Sequence, residues 1–191
     1  MAPKLILTGF MATGKSVAAR ACAQILGWRL IDCDAIITAR AGRPIAEIFR
    51  AHGEAHFRTL ERELIADIAG ERRRCPQCGN PLPAVIATGG GAIVDPRNFA
   101  ALSRIGVIVC LTARPEVIAR RIGPAAASRP MLTAGGKPLP ERIAELIAAR
   151  REAYARAPLS LDASDLTIDQ TAAAIVAAFA TYGRKSWATL S

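Results

Sequence analysis

The sequence of 191 residues predicts one domain of the α/β class, in which helices cover both faces of a parallel sheet. Short apolar runs alternate along the chain with longer segments in which apolar residues recur at helical intervals. The run at residues 106–111, Gly-Val-Ile-Val-Cys-Leu, is typical of a strand that is buried on both faces. Hydrophobic residues make up 51% of the chain, which is long enough to bury a substantial core.

The predicted strands are the apolar runs at residues 4–8, 29–31, 84–88, 106–111 and 158–162. Two segments between the second and third strands have clear helical spacing, carried by Ile45, Ile48 and Phe49 and by Leu60, Leu64 and Ile68. We predict a C-terminal helix at residues 170–182 and a frayed tail at 183–191. The order of the strands in the sheet does not follow from this pattern.

The formal net charge of +9 suits either a nucleic acid or small anionic substrates. The arginines are spread along the chain except for one run at 72–74, and the aromatic residues on which bases could stack make up only 5%. We therefore expect a small anionic substrate and no nucleic acid. No apolar run is long enough to cross a membrane, and the N-terminus lacks the layout of a secretory signal, so we expect a cytoplasmic protein.

A phosphate-binding loop of the pattern G-x-x-x-x-G-K-[ST] occupies residues 9–16, between the first predicted strand and a helical segment at 17–26. The backbone N–H groups of such a loop wrap phosphates, and the helix N-terminus adds partial positive charge. Lys15 can reach the β- and γ-phosphates, and the Ser16 hydroxyl can bind Mg²⁺. The residues predicted to hold the nucleotide are Gly9, Ala12, Thr13, Gly14, Lys15, Ser16 and Val17.

Two carboxylates, Asp32 and Asp34, follow the second predicted strand. Side chains alternate along a strand, so we expect these two to project together, with Cys33 opposite, at the end of the sheet where ligands bind. One carboxylate could hold Mg²⁺ and the other could accept a proton from a substrate hydroxyl. The alternative is a helix N-cap and a surface charge.

Three further motifs are candidates for substrate contacts. Arg58 lies one helical turn before Glu61, and it could grip a substrate carboxylate or form a solvated surface pair. Three glycines at 89–91 follow the third strand, where they allow a ligand to approach the backbone or simply form a tight turn. Arg129 lies in a Pro- and Gly-rich stretch at 123–140 that we interpret as a mobile lid, where an arginine can neutralise the moving phosphoryl group.

In this order and spacing, the phosphate loop, Asp-x-Asp, Phe-Arg-x-x-Glu, Gly-Gly-Gly and Arg-Pro-Met-Leu resemble the shikimate kinase family over residues 4–182. The resemblance implies a three-layer P-loop kinase fold of the nucleoside-monophosphate-kinase type, with a five-stranded parallel sheet and a lid at about 120–137. It implies transfer of the γ-phosphoryl group of ATP to the 3-hydroxyl of shikimate, with Mg²⁺, in aromatic amino acid biosynthesis. We expect a monomer with a single domain at 1–182. The alternatives are a gluconate-type sugar-acid kinase of the same fold and a nucleotide-binding regulator without catalysis.

The resemblance also implies residue roles. Lys15 holds phosphates, Ser16 and Asp32 serve Mg²⁺, Asp34 contacts the shikimate hydroxyls and is the candidate base, and Arg58 grips the carboxylate. The remaining implied ligands are Gly89, Gly90 and Gly91 for the substrate, Arg121 against the adenine, and Arg129 in the lid.

A second carboxylate-binding arginine is implied by the family motif Arg-x-Pro-x-Tyr. Arg150 is the preferred match because Tyr154 follows it, although Glu152 replaces the proline. Arg156, which precedes Ala-Pro-Leu, is the rival match.

An insertion at about 71–83 departs from the family pattern, because it contains Cys75 and Cys78 in the sequence Cys-Pro-Gln-Cys-Gly. This is half of a zinc knuckle, and tetrahedral zinc needs four ligands. A second copy of the chain, or His52 and His56, could complete a zinc site; the alternative is a surface loop without metal. The other cysteines include Cys22 and Cys110, which we expect in the core.

Overall fold

The computed structural model describes residues 3–70, 82–128, 130–133 and 136–188. Within these ranges five strands form, which are β1 (Lys4–Gly9), β2 (Arg29–Asp32), β3 (Ala84–Ala87), β4 (Val107–Thr112) and β5 (Leu159–Asp162). The α-helices of the described ranges are α1 (Lys15–Leu26), α2 (Cys33–Ala41), α3 (Ile45–Gly70), α4 (Pro96–Ile105), α5 (Pro115–Ile122), α6 (Pro130–Thr133), α7 (Leu139–Ala148), α8 (Arg151–Ala155) and α9 (Ile168–Ala188). Short 3₁₀ helices lie at Ala92–Val94 and Gly123–Ser128.

The five strands form one parallel sheet in the order β2-β3-β1-β4-β5. Strand β1 lies at the centre, where Leu7 is in register with Ala87 of β3 on one side and with Val109 of β4 on the other. The predicted five-stranded parallel sheet is therefore confirmed, and each strand lies within one residue of its predicted range.

Helices cover both faces of the sheet, which confirms the three-layer arrangement. On one face Ile6, Ile86 and Ile108 pack in a core with residues of α2, α3, α4 and α5. On the other face Leu7 and Val109 pack against α1 and α9. The alternation of side chains along buried parallel strands supplies both cores.

Cys22 and Cys110 are buried as expected, at 0% and 1% exposure, Cys22 in the core with α1 and α9 and Cys110 in the core on the other face. Burial raises the pKa of both thiols to about 11, so they stay protonated at neutral pH. They act as small apolar side chains.

The two predicted helical segments between β2 and β3 form the two parts of α3, which Gly53 separates with a non-helical backbone (φ +78°). The bounds of the last helix differ from the prediction. Helix α9 begins at Ile168 because Thr167 and Gln170 form a reciprocal capping box, with Gln170 N donating to Thr167 Oγ1 (3.2 Å) and Thr167 N donating to Gln170 Oε1 (2.9 Å). The predicted helix end at residue 182 is wrong, since α9 continues to residue 188.

No helix among the described residues is long and apolar enough to cross a bilayer.

Candidate active site

The loop between β1 and α1 has the backbone geometry that phosphate binding requires. Gly9 and Gly14 have φ values of +130° and +98°, which only glycine adopts without strain. A Cβ on Gly9 would lie 2.0 Å from the Leu111 carbonyl oxygen of β4. There is therefore no room for a side chain at the point where the loop begins. Ala12 also has a positive φ, +58°, and is the only non-glycine residue of the described chain in this region.

Two side chains of this loop donate hydrogen bonds to its own backbone. The Lys15 ammonium donates to the Phe10 carbonyl oxygen at 2.8 Å, and the Thr13 hydroxyl donates to the same oxygen at 2.8 Å. Lys15 is the first residue of α1, so its charge lies beside the helix N-terminus. A positive charge and unsatisfied helix N–H groups at one place suit phosphate oxygens.

A cavity of about 220 Å³ adjoins the phosphate loop. Its walls include Val17 of α1, which is 45% exposed, and Ile168 of α9, which is 52% exposed. Arg121 borders it and donates to the Thr13 carbonyl oxygen (3.3 Å) and to the Ala163 carbonyl oxygen (2.8 Å). The apolar walls and the flat guanidinium can accept a planar base next to the phosphates.

Asp32 and Asp34 do not alternate along a strand, and the prediction that they do is wrong. Strand β2 ends at Asp32, whose Oδ1 caps α2 by accepting from the N–H groups of Asp34 (3.1 Å) and Ala35 (3.2 Å). Asp34 is therefore a first-turn helical residue, and Cys33 is fully buried. Asp32 is thus the helix N-cap of the alternative interpretation. An aspartate carboxylate readily accepts hydrogen bonds from the first N–H groups of a helix, which have no partner within the helix.

A second and larger cavity, of about 580 Å³, opens where β2 and β3 end. The structure brings together there the predicted substrate residues Asp34, Arg58, Gly89, Gly90, Gly91 and Arg150. The remaining wall consists of the Glu54 carboxylate and of apolar side chains, namely Met11, Ile45, Ala46, Phe49, Phe57 and Met131. The cavity therefore combines a largely apolar wall with two guanidinium groups, from Arg58 and Arg150, and two carboxylates, from Asp34 and Glu54, which suits a small ring with an acidic substituent and hydroxyls.

Arg58 is held in place from several sides. Its Nη1 pairs with Glu61 Oε2 at 2.7 Å, and its Nη2 and Nε contact Glu54 Oε1 at 2.9 and 3.1 Å. The guanidinium carbon lies 5.3 Å from the Phe57 ring centroid. A Cβ on Gly91 would lie 2.6 Å from Arg58 Nη2, so the glycine lets the guanidinium reach the cavity. The predicted Arg58–Glu61 pair forms, and it is a site feature rather than a solvated surface pair.

Asp34 lies in an environment that disfavours its charge. Burial raises its pKa, the positive charge of Lys15 opposes that rise, and Asp32 adds to it. Among the described residues, Asp34 Oδ1 and Glu61 Oε1 have no hydrogen-bond partner although both are buried. Both oxygens face Gly89, where a Cβ would lie 2.2 Å from Glu61 Oε1 and 3.2 Å from Asp34 Oδ1. A carboxylate that is poorly satisfied in the free protein is suited to accept a substrate hydroxyl.

The two candidate second arginines occupy different places. Arg150 lies at the larger cavity, with Nη1 3.4 Å from the Gly90 carbonyl oxygen and its guanidinium carbon 5.6 Å from the Phe10 ring centroid. Arg156 donates to the Ile93 carbonyl oxygen and lies 4.6 Å from the Phe99 ring centroid, and it does not line the cavity. The geometry favours Arg150.

Comparison with known proteins decides the family. The model of a family described as shikimate kinase matches residues 11–180. The chain belongs to the shikimate kinase family. A shikimate kinase from Geobacter sulfurreducens is 40% identical over 181 residues, which cover 95% of this chain and 91% of that relative. One from Caldanaerobacter subterraneus subsp. tengcongensis is 38% identical, with 92% and 95% coverage.

Solved structures agree with this assignment. A shikimate kinase from Acinetobacter baumannii in complex with shikimate matches with a TM-score of 0.82 and 26% identity, over 95% of each chain. A gluconokinase from Sinorhizobium meliloti matches with a TM-score of 0.58 and 14% identity, over 98% of this chain and 97% of that chain, which shows the shared fold alone. The predicted enzyme activity, ATP-dependent phosphorylation of shikimate, is confirmed for this member of the shikimate kinase family.

Some predicted residues lie outside the described part of the chain. These are Arg129 of the suspected lid and both cysteines of the insertion, Cys75 and Cys78. His52 and His56 lie on α3 with ring centroids 4.9 Å apart, and the described residues contain no group of three or more potential metal ligands.

One contact at this shikimate kinase site was missed by the sequence analysis. The Tyr154 hydroxyl donates to the Gly90 carbonyl oxygen at 2.6 Å. These residues are 64 positions apart, so no local spacing indicates the contact.

Proposed function

We propose that the chain transfers the γ-phosphoryl group of ATP to the 3-hydroxyl of shikimate and that Asp34 accepts the proton of that hydroxyl. The observation that carries this proposal is the position of Asp34, which lines the larger cavity and interacts electrostatically with both Lys15 of the phosphate loop and Arg58. A group between the phosphate site and the substrate site can reach the hydroxyl that attacks phosphorus.

Arg58 and Arg150 bind the carboxylate of shikimate in this proposal. Guanidinium groups match carboxylates in shape and charge, and Glu61 and Glu54 already hold the Arg58 guanidinium in one orientation. Phe49 and Phe57 contribute an apolar surface against which the carbon ring can pack. In this proposal the N–H groups of the turn at 89–91 contact the substrate, because glycine carries no side chain that would shield them.

The proton step follows from the surroundings of Asp34. As the shikimate oxygen forms its bond to the γ-phosphorus, the bond from that phosphorus to the leaving ADP oxygen breaks, and the hydroxyl proton passes to Asp34. A raised pKa makes Asp34 a stronger base than a solvated aspartate. The positive charge of Lys15 opposes that rise in the pKa of Asp34 and so favours the ionised form that accepts the proton.

The nucleotide side of the site uses the phosphate loop and the smaller cavity. Lys15 and the loop N–H groups hold the phosphates, while Arg121 packs on the base beside Val17. Arg129 in a closing lid at about 120–137 neutralises the transferred group in this proposal, on the basis of its place in the sequence motif.

Ser16 and Asp32 would hold Mg²⁺. Ser16 is exposed at the start of α1, and both helix N–H groups at Asp32 donate to Oδ1, so in this proposal Oδ2 would be the oxygen that serves a metal ion or its bound water. Hydroxyl and carboxylate oxygens are the ligands that Mg²⁺ prefers. An ion held by these two residues would supply positive charge that offsets the charge of the phosphates. A cytoplasmic location, a monomeric state and the lack of nucleic-acid or membrane binding stay predictions.

ATP turnover tests the proposal directly. With purified protein and Mg²⁺, we expect ADP release with shikimate and none with gluconate, and Asp34→Asn should lower kcat by about 100-fold or more. Asp67→Asn is the matched control, since Asp67 is a 60% exposed aspartate paired with Arg40. Full activity of Asp34→Asn would remove Asp34 as the base, and turnover with gluconate alone would overturn the substrate.

A further inference from the structure

We propose that Tyr154 is a positioning residue that fixes the glycine turn at 89–91 against the phosphate loop and so aligns the two substrates. The inference rests on the proposed substrate contacts of Arg150 and the glycine turn. Tyr154 is not among the residues that line either cavity. It would act through Gly90.

The contact between Tyr154 and Gly90 is short and partly buried. Tyr154 is 8% exposed and belongs to the core, and its hydroxyl lies 2.6 Å from the Gly90 carbonyl oxygen. Arg150 Nη1 approaches the same oxygen at 3.4 Å, which is a weaker contact. Tyr154 therefore supplies the main anchor of this carbonyl.

On its other side Gly90 rests on the phosphate loop. A Cβ at Gly90 would lie 3.2 Å from the Gly9 carbonyl oxygen and 3.2 Å from the Met11 nitrogen. The turn is thus enclosed between the phosphate loop and the segment that carries Tyr154. A shift of Gly90 in either direction changes the distance between the phosphate site and the substrate cavity.

The residues after the turn have their own anchors. Asn98 Nδ2 donates to the Ala92 carbonyl oxygen at 3.0 Å, and Arg156 donates to the Ile93 carbonyl oxygen. Loss of the Tyr154 hydroxyl would therefore release Gly90 without unfolding the 3₁₀ helix at Ala92–Val94. The effect is expected to be local.

The Tyr154 hydroxyl is a reliable donor at neutral pH. Burial raises its pKa, with the charge of Arg150 opposing the rise, so the phenol stays protonated. Phosphoryl transfer depends on alignment of the attacking oxygen with phosphorus, and a misplacement of about 1 Å costs on the order of 100-fold in rate. A partial loosening of Gly90 should therefore lower turnover more than it lowers the binding of either substrate alone.

The test compares Tyr154→Phe with Tyr182→Phe, which removes the hydroxyl of the only other tyrosine of the chain. For Tyr154→Phe we expect kcat to fall about tenfold, which is the loss of one buried hydrogen bond, while the separate dissociation constants of ATP and shikimate by calorimetry stay within about twofold. Tyr182→Phe should match the wild type. Assays are run well below the melting temperature of each variant.

A kcat of Tyr154→Phe within twofold of the wild type would overturn the inference. So would a parallel loss of kcat and of both affinities that follows the loss of thermal stability, because that indicates a purely structural role. Arg150→Lys separates the two proposals. If Arg150→Lys weakens shikimate binding while the kcat of Tyr154→Phe equals that of the wild type, the proposed function stands and only the positioning role is removed. No turnover of shikimate by the wild type would overturn both.

If Tyr154→Phe does not fold, Gly90→Ala tests whether the position of the glycine turn controls turnover. The added Cβ presses on the Gly9 and Met11 backbone and moves the turn while Tyr154 is kept. A fall of kcat of about tenfold at saturating ATP and shikimate supports the inference. Unchanged kcat overturns it.

Discussion

Glu61 and Arg58 form an ion pair in which the acid is buried and the base is partly open to the cavity. Glu61 Oε2 lies 2.7 Å from Arg58 Nη1, and the side chains are 1% and 27% exposed. Because the Glu61 side chain is enclosed by the core, its carboxylate fixes the direction in which the Arg58 guanidinium presents its remaining N–H groups to the cavity. The pair thus links the core of α3 to the substrate cavity.

Glu61→Gln should weaken shikimate binding. A neutral amide orients the guanidinium less firmly than a carboxylate, so we expect KM for shikimate to rise about tenfold. Steady-state kinetics at saturating ATP measure this. Glu63→Gln is the control because Glu63 is exposed on the same helix. An unchanged KM would show that Glu54 alone is enough to orient Arg58.

The pH profile of kcat/KM should reflect the raised pKa of Asp34. Activity needs the ionised carboxylate, so it is expected to fall as pH decreases through that pKa, at a higher pH than for a solvated aspartate. Rates measured between pH 4 and 9 in buffers of constant ionic strength test this expectation. An acidic limb at the position of an ordinary aspartate would contradict it.

Asp34→Asn should stabilise the fold at neutral pH. A carboxyl with a raised folded-state pKa binds its proton more tightly in the folded chain, so its ionisation destabilises the folded state as pH rises through that pKa. Replacement by the amide removes this cost, and the gain should vanish at acidic pH, where wild-type Asp34 is protonated in both states. Melting temperatures of both proteins across this range are the measurement. A variant that is less stable at neutral pH would show that Asp34 is well compensated.

Gly91→Ala should displace Arg58. The new Cβ would meet the guanidinium at 2.6 to 2.7 Å, so we expect KM for shikimate to rise at least about tenfold while the affinity for ATP alone is kept. Gly70→Ala is the matched control, because nothing lies within 4 Å of a Cβ there. Equal kinetics for both variants would indicate that Arg58 has room to move aside.

Arg150→Lys and Arg156→Lys should separate the two candidate arginines. We expect the first to raise KM for shikimate about tenfold or more, because a lysine cannot make a bidentate contact with a carboxylate. The second should leave KM unchanged, since Arg156 points to Ile93 and Phe99 outside the cavity. The reverse result would return the assignment to Arg156.

The local parts of the site were predictable from residues close together in sequence. The phosphate loop was found because glycines at fixed spacing are needed for its backbone, and the observed φ values of Gly9 and Gly14 show why. The Arg58–Glu61 pair follows from the three-residue spacing on a helix, although its burial does not. Asp34 was placed at the correct end of the sheet by an incorrect argument, because Asp32 ends the strand and begins a helix.

The amino-acid sequence by itself determined the strands, the phosphate loop and the family, because each depends on short-range spacing and on the residue types that a given backbone tolerates. Tertiary structure alone decided the strand order, the break of α3 at Gly53, and the bond from Tyr154 to Gly90, while it agrees with the sequence preference for Arg150 at the cavity. The strand order and this bond join distant segments: Tyr154 and Gly90 are 64 residues apart, and strands β1 and β4, which pair Leu5 with Val107, lie still further apart in the sequence. Such segments meet only when the two cores form on the faces of the sheet, since burial of apolar side chains acts without regard to distance along the chain.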